Sequence, residues 1–361
     1  MSDDAKLKAI RARIDEIDLR LQQLINERAE VAQEVAQIKL CEDPQAEFYR
    51  PEREAEVLRR VKERNQGPLE AEEIARLFRE IMSACLALEQ PLRVAFLGPD
   101  GTFTQAAVLK HFGHSVRTHS MGSIPDIFRE VEAGACQYGV VPVENSTEGV
   151  ISHTLDTFLN SPLRICGEVS LRINHQLLSR ETLSQQIKAV YSHAQSLAQC
   201  RGWLDQHLPH AERISVGSNA EAAKLAAELP ETGAIAGEAA GEIYRLNRLA
   251  SNIEDEPGNT TRFLVIGGQD APASGDDKTS MMFSTHNKAG GLHTMLTPFA
   301  EHGISMTRIE SRPSRRGRWD YVFFIDVEGH RSDANLAKAL QRIEQAATQF
   351  KVLGSYPKAV L

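Results

Sequence analysis

The sequence predicts a multidomain chain of three folds in series. An all-α segment pairs with a second copy through its first helix, a two-lobed α/β domain follows, and a small α+β domain closes the order. Three observations predict this. At 361 residues the chain is more than twice the usual domain length. Residues 1–90 carry 15 Lys+Arg and 20 Asp+Glu, and the remainder holds charge at roughly half that density. The run Gly267–Asp277, rich in Gly, Asp, Ala and Pro, reads as a flexible linker. Domains are therefore expected at 1–91, 92–268 and 278–361.

Composition excludes several classes. Apolar residues are 42% and charged residues 25%, ordinary for globular domains and against a mostly disordered chain. The net charge of −8 gives no general affinity for nucleic acid, so an anionic ligand must be held by local cations or helix ends. No apolar run is long enough to span a bilayer, and no membrane partner is expected. The acidic start Met1-Ser2-Asp3-Asp4 has no signal-peptide pattern. Five scattered cysteines without a C-x-x-C pair fit reduced thiols in the cytoplasm and no structural metal.

Between about Lys6 and Leu40 there is neither Gly nor Pro, and Leu7, Ile10, Ile14, Ile17, Leu21, Leu24, Val31, Val35 and Ile38 recur at heptad spacing. Arg28 interrupts that seam. A helix of about 35 residues is about 52 Å long, more than a domain of radius near 13 Å can bury, so dimerisation around it is expected. Pro51 opens a second helix with Val57, Leu58 and Val61 inward and Arg53 and Glu54 on the same side. A third carries Ile74, Leu77, Phe78, Ile81, Met82, Cys85 and Leu88, with Glu89 continuing the stripe. Arg28 and Lys39 lie about 16 Å apart along the first helix and about 20° out of line, so both reach a small dianion between them. Arg11 is about 25 Å from Arg28 and reaches such a site only from the other subunit. Buried cations without partners are costly, which favours an anion pocket over a dry core.

Arg11, Arg28, Lys39, Arg53-Glu54 and a polar residue at Glu89, on three such helices, resemble the all-helical chorismate mutase family across residues 1–90. The resemblance implies rearrangement of chorismate to prephenate in an intertwined dimer. Arg11 in trans, Arg28, Lys39 and Arg53 would hold carboxylates and the ether oxygen, and Glu54 would take the substrate hydroxyl. Arg50, Cys85 and Glu89 stand where other members carry an acid, a hydroxyl and Gln. A neutral Glu89, its pKa raised by apolar neighbours and an anionic substrate, would donate to the ether oxygen.

Residues 92–268 alternate strand and helix. Arg93–Leu97, Tyr138–Val143, Ala189–Ser192, Ile214–Val216 and Ala234–Ala236 read as strands, each leading to a helix, and Arg262–Ile266 as a returning strand. Two α/β lobes with a cleft between them follow. The turns Gly98-Pro99-Asp100-Gly101-Thr102-Phe103-Thr104 and Glu144-Asn145-Ser146-Thr147-Glu148-Gly149 offer free amides and helix starts suited to a carboxylate, although the same residues are ordinary caps. There is no G-x-S-x-G serine nucleophile. With Val141-Pro142-Val143, Tyr191-Ser192-His193 and Thr261-Arg262-Phe263, these strings resemble the prephenate dehydratase family, whose lobes are periplasmic-binding-like. That implies loss of CO₂ and water from prephenate to give phenylpyruvate. Thr261 would be the donor at the departing hydroxyl, with Thr104, Asn145, Ser146 and Arg262 contacting the substrate.

Residues 278–361 read βαββαβ, a ferredoxin-like order, with strands at Thr279–Thr285, Ile304–Ser311 and Asp320–Val327 and helices near Gly291–His302 and Asp333–Phe350. The basic run Arg308, Arg312, Arg315, Arg316 and Arg318 reads as a solvated hairpin tip, because the chain is acidic and lacks a nucleic-acid reading element. Gly290-Gly291-Leu292-His293 and Glu310-Ser311-Arg312-Pro313 resemble the phenylalanine-binding motifs of ACT regulatory domains. The set implies a cytoplasmic, cofactor-free bifunctional enzyme, a homodimer or higher, acting on chorismate and prephenate under phenylalanine feedback. A non-catalytic amino-acid sensor and a dehydratase with a vestigial helical dimeriser are the alternatives.

Overall fold

Residues 3–42 contain neither glycine nor proline, and they form one helix, α1 (Asp3–Glu42), about 60 Å long at 1.5 Å per residue. The computed structural model describes residues 3–43, 47–285, 288–313 and 321–361. Helix α2 (Pro51–Glu63) begins on its proline, and α3 (Ala71–Glu89) on a glutamate-rich first turn that suits the helix dipole. Within one chain, α1 packs on α3 but buries only Ala36. The seam residues Leu7 to Ile38 stay 45–61% exposed. Leu58, Ala75 and Met82 form the core between α2 and α3, closed by Val57, Phe78 and, from the far end of the sequence, Val360 and Leu361. The α3 stripe is turned from its expected direction. Leu77 and Leu88 are exposed, whereas Arg79 and Ser83 are buried, because a second neighbour from the next domain covers that face.

That neighbour belongs to the first lobe of the central domain. The lobe comprises β1 (Arg93–Leu97), α4 (Phe103–Phe112), β2 (Arg117–Met121), α5 (Ile124–Glu132), β3 (Tyr138–Asn145), β4 (Gly149–Val150), α6 (Ser152–Phe158) and β5 (Arg164–Arg172). The second lobe holds β6 (Gln176–Ser179), β7 (Ala189–His193), α7 (Ala194–Gln199), α8 (Arg201–His207), β8 (Glu212–Val216), α9 (Asn219–Glu228), β9 (Thr232–Ala236), α10 (Glu238–Tyr244) and β10 (Asn247–Ala250). The chain then returns to the first lobe as β11 (Thr260–Gly267). Sheet orders are β2-β1-β3-β11-β5, with β4 on β3, and β10-β6-β9-β7-β8. β1, β2 and β3 are parallel, while β11 runs antiparallel between β3 and β5. The chain thus passes between lobes twice, and the two passages are bonded together through Ile173 N–H to the Asn259 carbonyl and Ile253 N–H to the His175 carbonyl.

The last domain is β12 (Asp277–Ser284), α11 (Gly291–Glu301), β13 (Met306–Pro313), β14 (Tyr321–Glu328), α12 (Ala334–Ala346) and β15 (Gln349–Pro357). Its antiparallel sheet, β13-β14-β12-β15, has the ferredoxin-like order. One sheet face packs on its own helices through Met281, Phe283, Ile325 and Leu340. The other shares a core with the first lobe, where Met282, Phe324, Leu353 and Tyr356 meet Ile165, Leu264 and Ile266.

Two expectations are corrected here. Residues 267–277 are not a loose tether. Arg331 pairs with Asp270 at 2.8 Å, His330 Nε2 bonds the Ala271 carbonyl at 3.0 Å, and the Ser274 hydroxyl bonds Asp277 at 2.7 Å. Composition measured local stiffness and missed these tertiary partners. Nor do Arg308 and Arg312 sit on a solvated tip. Both lie on β13 and pair with the central domain, Arg308 with Glu144 at 3.2 Å and Arg312 with Asp156 at 3.1 Å. Arg315, Arg316 and Arg318 of that run lie outside the described residues.

Gly354 on β15 lies against β5 so closely that a Cβ would stand 2.0 Å from the Ile165 carbonyl oxygen and 2.8 Å from its nitrogen. Gly354→Ala should cost roughly 1–3 kcal/mol by overpacking. Thermal unfolding should then begin several degrees lower, and an unchanged midpoint would mean that the sheets separate freely.

Candidate active sites

The first site is a cavity of about 390 Å³ among the three N-terminal helices. α1 contributes Arg28 and Lys39, and residues 50–54 contribute Arg50, Arg53 and Glu54. α3 contributes Cys85 and Glu89, with Val35, Val57, Met82 and Leu86 as apolar walls. Every mutase-site residue expected from sequence lines this cavity except Arg11, which lies on the exposed N-terminal half of α1. Lys39 stands 5.6 Å from the centre of the Phe48 ring, held toward the cavity by a cation–π contact. Among the described residues Arg53 and Arg50 pair with short-range acids, Glu56 at 2.6 Å and Glu52 at 2.5 Å. Glu54 is different. Its carboxylate receives Nη1 of the buried Arg79 at 2.6 Å.

Burial raises the Glu54 carboxyl above its ordinary value, against the opposing pull of Arg79 and Arg28. Burial likewise raises Glu89, opposed by Lys39 and Arg28. The two acids therefore titrate above ordinary carboxylates in a cavity lined by four cations. Arg79 escaped sequence analysis because a lone Arg on a charged helix reads as surface. The available signal was Ala75 and Ser83, small residues one turn to either side, which mark a second packed face.

The second site is a cavity of about 340 Å³ between the two lobes. Thr102 starts α4 by accepting the Gln105 amide with its side chain, which points the helix's first turn, with Thr104, into the cleft. Gly101 ahead of it has φ +87°, and a Cβ there would lie 3.1 Å from Ala240 of the second lobe. Thr261 on β11 stands opposite Asn145 on β3, and both are buried in the cleft wall. Asn145 Oδ1 accepts the backbone amides of Thr147 and Glu148, each at 3.1 Å, and the Thr147 hydroxyl at 2.6 Å. Two backbone donors fix which end of the amide is oxygen. The NH₂ end therefore donates to Asn259 Oδ1 and to Thr261 Oγ1, each at 2.8 Å. Thr261 Oγ1 is an acceptor in that bond, so its own proton remains available for donation.

On the cleft's far wall, sequence analysis reached Ser192 and His193 but missed His175, Gln199, Asn219 and Asn259. His175 is buried and bonds Gln199 through Nε2 at 2.9 Å; burial lowers its pKa, against the Gln199 bond, and keeps the ring neutral. Asn259 donates to the same Gln199 oxygen at 3.3 Å. His193 caps α7 by accepting the Gln195 amide, and Ser192 bonds Asn219 and the Ile235 carbonyl. No sequence string joins His175, Gln199 and Asn259; the double passage between lobes does.

Three expected contacts are corrected. Arg262 does not face the cleft. Successive residues of a strand point to opposite faces, so Thr261 in the cleft sends Arg262 to the other side. There it bonds Glu168 at 2.8 Å, Asp326 at 2.5 Å and the Tyr356 hydroxyl at 2.9 Å. Ser146 is turned to the chain and accepts the Thr260 amide at 2.9 Å. Arg312, expected at the regulatory ligand, clasps Asp156 and the Ser152 hydroxyl of α6. The other regulatory candidates lie on two elements of the C-terminal domain. Gly290 (φ +77°), the buried Gly291 and Leu292 open α11, while Glu310, Ser311 and Pro313 lie on β13, an edge strand of its sheet.

A cationic cavity with two raised acids, a hydroxyl poised to donate in an interlobe cleft, and a sheet-and-helix domain keyed to that cleft define a multidomain enzyme for small anionic substrates. Family models agree domain by domain: "Chorismate mutase type II" matches residues 10–90, "Prephenate dehydratase" 94–271 and "ACT domain" 279–345. The chain is 59% identical to the bifunctional chorismate mutase/prephenate dehydratase of Stutzerimonas stutzeri over the whole of both chains. It is 44% identical to that of Aquifex aeolicus (strain VF5) over 99% of each. A solved prephenate dehydratase from Arthrobacter aurescens, in complex with L-Phe, is similar at TM-score 0.68 and 33% identity, covering 74% of this chain and 90% of that one. The chain belongs to the family of bifunctional chorismate mutase/prephenate dehydratases with an ACT domain. Among the described residues no helix is long and apolar enough to cross a membrane.

The Arg262 cluster generates a prediction. Its guanidinium and the Glu168 and Asp326 carboxylates are nearly buried, with side chains 14%, 6% and 6% exposed. Burial alone would raise Asp326, yet Arg262 and the Ser280 hydroxyl hold it below the usual range. Arg262→Leu leaves the buried Asp326 without its ion-pair partner and Glu168 with Lys278 alone, and should cost about 3 kcal/mol or more. Denaturant unfolding should show an earlier transition; a loss under about 0.5 kcal/mol, ordinary for a surface change, would contradict the assignment.

Proposed function

We propose that the helical cavity rearranges chorismate to prephenate and that the interlobe cleft converts prephenate to phenylpyruvate. The observation that carries the reading is the cavity itself. Arg28, Lys39, Arg50 and Arg53 face one small space that holds only two acids, both with raised pKa. A dicarboxylate supplies the missing negative charge. The rearrangement is unimolecular and needs no nucleophile, so the residues act by holding the folded conformer and by meeting charge on the ether oxygen. Arg28, Arg53 and Lys39 bind the carboxylates and the ether oxygen, with Arg50 and Cys85 at the edge of the substrate. Glu54 accepts the substrate hydroxyl, and Glu89 in its neutral form donates to the ether oxygen. Arg11 of the partner subunit completes the cage. The exposed apolar seam of α1 supports that pairing, because a stripe 45–61% open over nine residues is unfavourable in water.

In the cleft, Asn145 and Thr104 orient the substrate carboxylates, and Thr261 directs its free proton at the departing ring hydroxyl. The ring becomes aromatic as CO₂ leaves, so no further electron acceptor is required. Phenylalanine acts on the C-terminal domain through Gly290, Gly291, Leu292, Glu310, Ser311 and Pro313. The pairing of Arg308 with Glu144, next to Asn145, supports a route from β13 to the cleft. A cytoplasmic setting accords with five free cysteines, four of them buried.

The test is to give the purified protein chorismate, then prephenate, with and without phenylalanine, and to identify the products. Prephenate from the first and phenylpyruvate from the second are expected, with the second reaction slowed by phenylalanine. Thr261→Ala should lower dehydratase turnover at least about a hundredfold while sparing the mutase. Substantial retained dehydration would refute the donor assignment. Glu89 works protonated, so mutase activity should fall as pH rises through its raised pKa, and Glu89→Gln should flatten that fall. An unaltered profile in the variant would refute a neutral Glu89.

A further inference from the structure

Arg79 is 8% exposed and its Nε is buried without a hydrogen-bond partner among the described residues. A buried guanidinium with an orphaned donor is costly, so it is a poor device for stability alone. What it does is geometric. Nη1 bonds Glu54 in the helical cavity at 2.6 Å, and the same nitrogen bonds the His111 carbonyl at the C-terminal end of α4. The last carbonyls of a helix have no intrahelical partner and carry the negative end of its dipole, which makes them natural anchors for a cation. α4 is otherwise a dehydratase element, with its first turn in the other active site. The same junction is fixed on both sides. The Tyr49 hydroxyl meets His111 Nε2 at 2.7 Å, and the His114 amide donates to Glu80 at 3.0 Å.

We propose that Arg79 is a positioning residue of the mutase site. It holds the Glu54 carboxylate ionised and aimed at the substrate hydroxyl, and is itself held by α4, so the dehydratase domain completes the mutase pocket. The inference rests on the reading of Glu54 as acceptor of that hydroxyl. A carboxylate with three rotatable bonds in a cavity needs an external clamp to keep one direction. Among the described residues the clamp comes from outside the cavity wall.

The titratable and charged groups around Glu54 are Arg28, Lys39, Arg50, Arg53, Cys85 and Glu89 in the helical cavity, Arg79 from α3, Tyr49 ahead of α2, Lys110 and His111 from α4, Cys166 and Glu168 on β5 and Lys358 after β15, with Tyr138 on β3 behind Tyr49. Burial holds both tyrosines and His111 neutral, the tyrosines above and the histidine below their ordinary values. Arg79 and Arg28 are the cations that lower Glu54. Without Arg79, Glu54 protonates at higher pH and ceases to accept.

The test measures mutase kcat/KM against pH in the full chain for the wild type, Arg79→Gln, Arg79→Lys and Glu54→Gln. Arg79→Gln should move the acid-side limb upward by about one pH unit or more, leaving the alkaline limb in place. Arg79→Lys should restore most of that shift. A uniform drop at every pH with both limbs unmoved would be a merely structural effect and overturns the proposal. Full mutase activity in Glu54→Gln would instead remove the underlying reading of Glu54, a separate result. Should Arg79→Gln not fold, Arg79→Met is read in its place. If neither neutral variant folds, Arg79→Lys decides. Its single ammonium lacks the planar fork of donors, so the acid-side limb should stay displaced upward by a fraction of a pH unit, and an acid-side limb at the wild-type position, whatever the change in kcat, overturns the proposal.

Discussion

The cation of Arg262 is the constraint on which the arrangement of the central and C-terminal domains depends. A guanidinium taken out of water must be matched by anions, and the matches come from two domains, Glu168 on β5 and Asp326 on β14. Lys278 of β12 joins Glu168 at 2.8 Å, so the cluster is a network rather than a pair. Because β11 alternates, the residue before this cation is the cleft hydroxyl. One strand therefore carries the cleft hydroxyl on one face and domain attachment on the other. The close contact of Gly354 with β5 and the shared apolar core around Ile165 and Tyr356 then follow as packing around an electrostatic pin.

The helical cavity is organised on the opposite principle. Its cations are not matched internally, and two of them, Arg50 and Arg53, reach only local acids at its rim. An unbalanced cationic space is unfavourable when empty and favourable when a dianion enters, so electrostatics there favours occupancy. The contrast is between Arg262, enclosed by buried acids of two domains, and Arg50 and Arg53, each paired with an acid two or three residues away.

Much of this was legible in the residues. Element order was read through the helical and C-terminal domains and for β1, β3, β7, β8, β9 and β11 of the central one, because glycine-free helices, strand-ending turn strings and βαββαβ spacing are local signals. Seven of the eight mutase-site positions line one cavity because they lie on helices whose periodicity fixes their faces. What escaped was non-local. β2, with the polar sequence Arg117–Met121, and β5, which runs into the interlobe passage, become strands only through their neighbours. Arg79 and Arg262 looked like surface or substrate contacts, since no periodicity shows which charged residue another domain will cover. The linker at 267–277 was misread for the same reason: its composition is loose, but its partners lie elsewhere.

Val360 and Leu361 pack on Leu58, Ala75 and Met82, and Lys62 reaches the Val360 carbonyl at 3.2 Å. The helical domain therefore cannot finish its core until residues about 270 positions downstream of α3 have been translated. Until then the nascent bundle waits with one side unsealed, and the order of synthesis is not the order of completion.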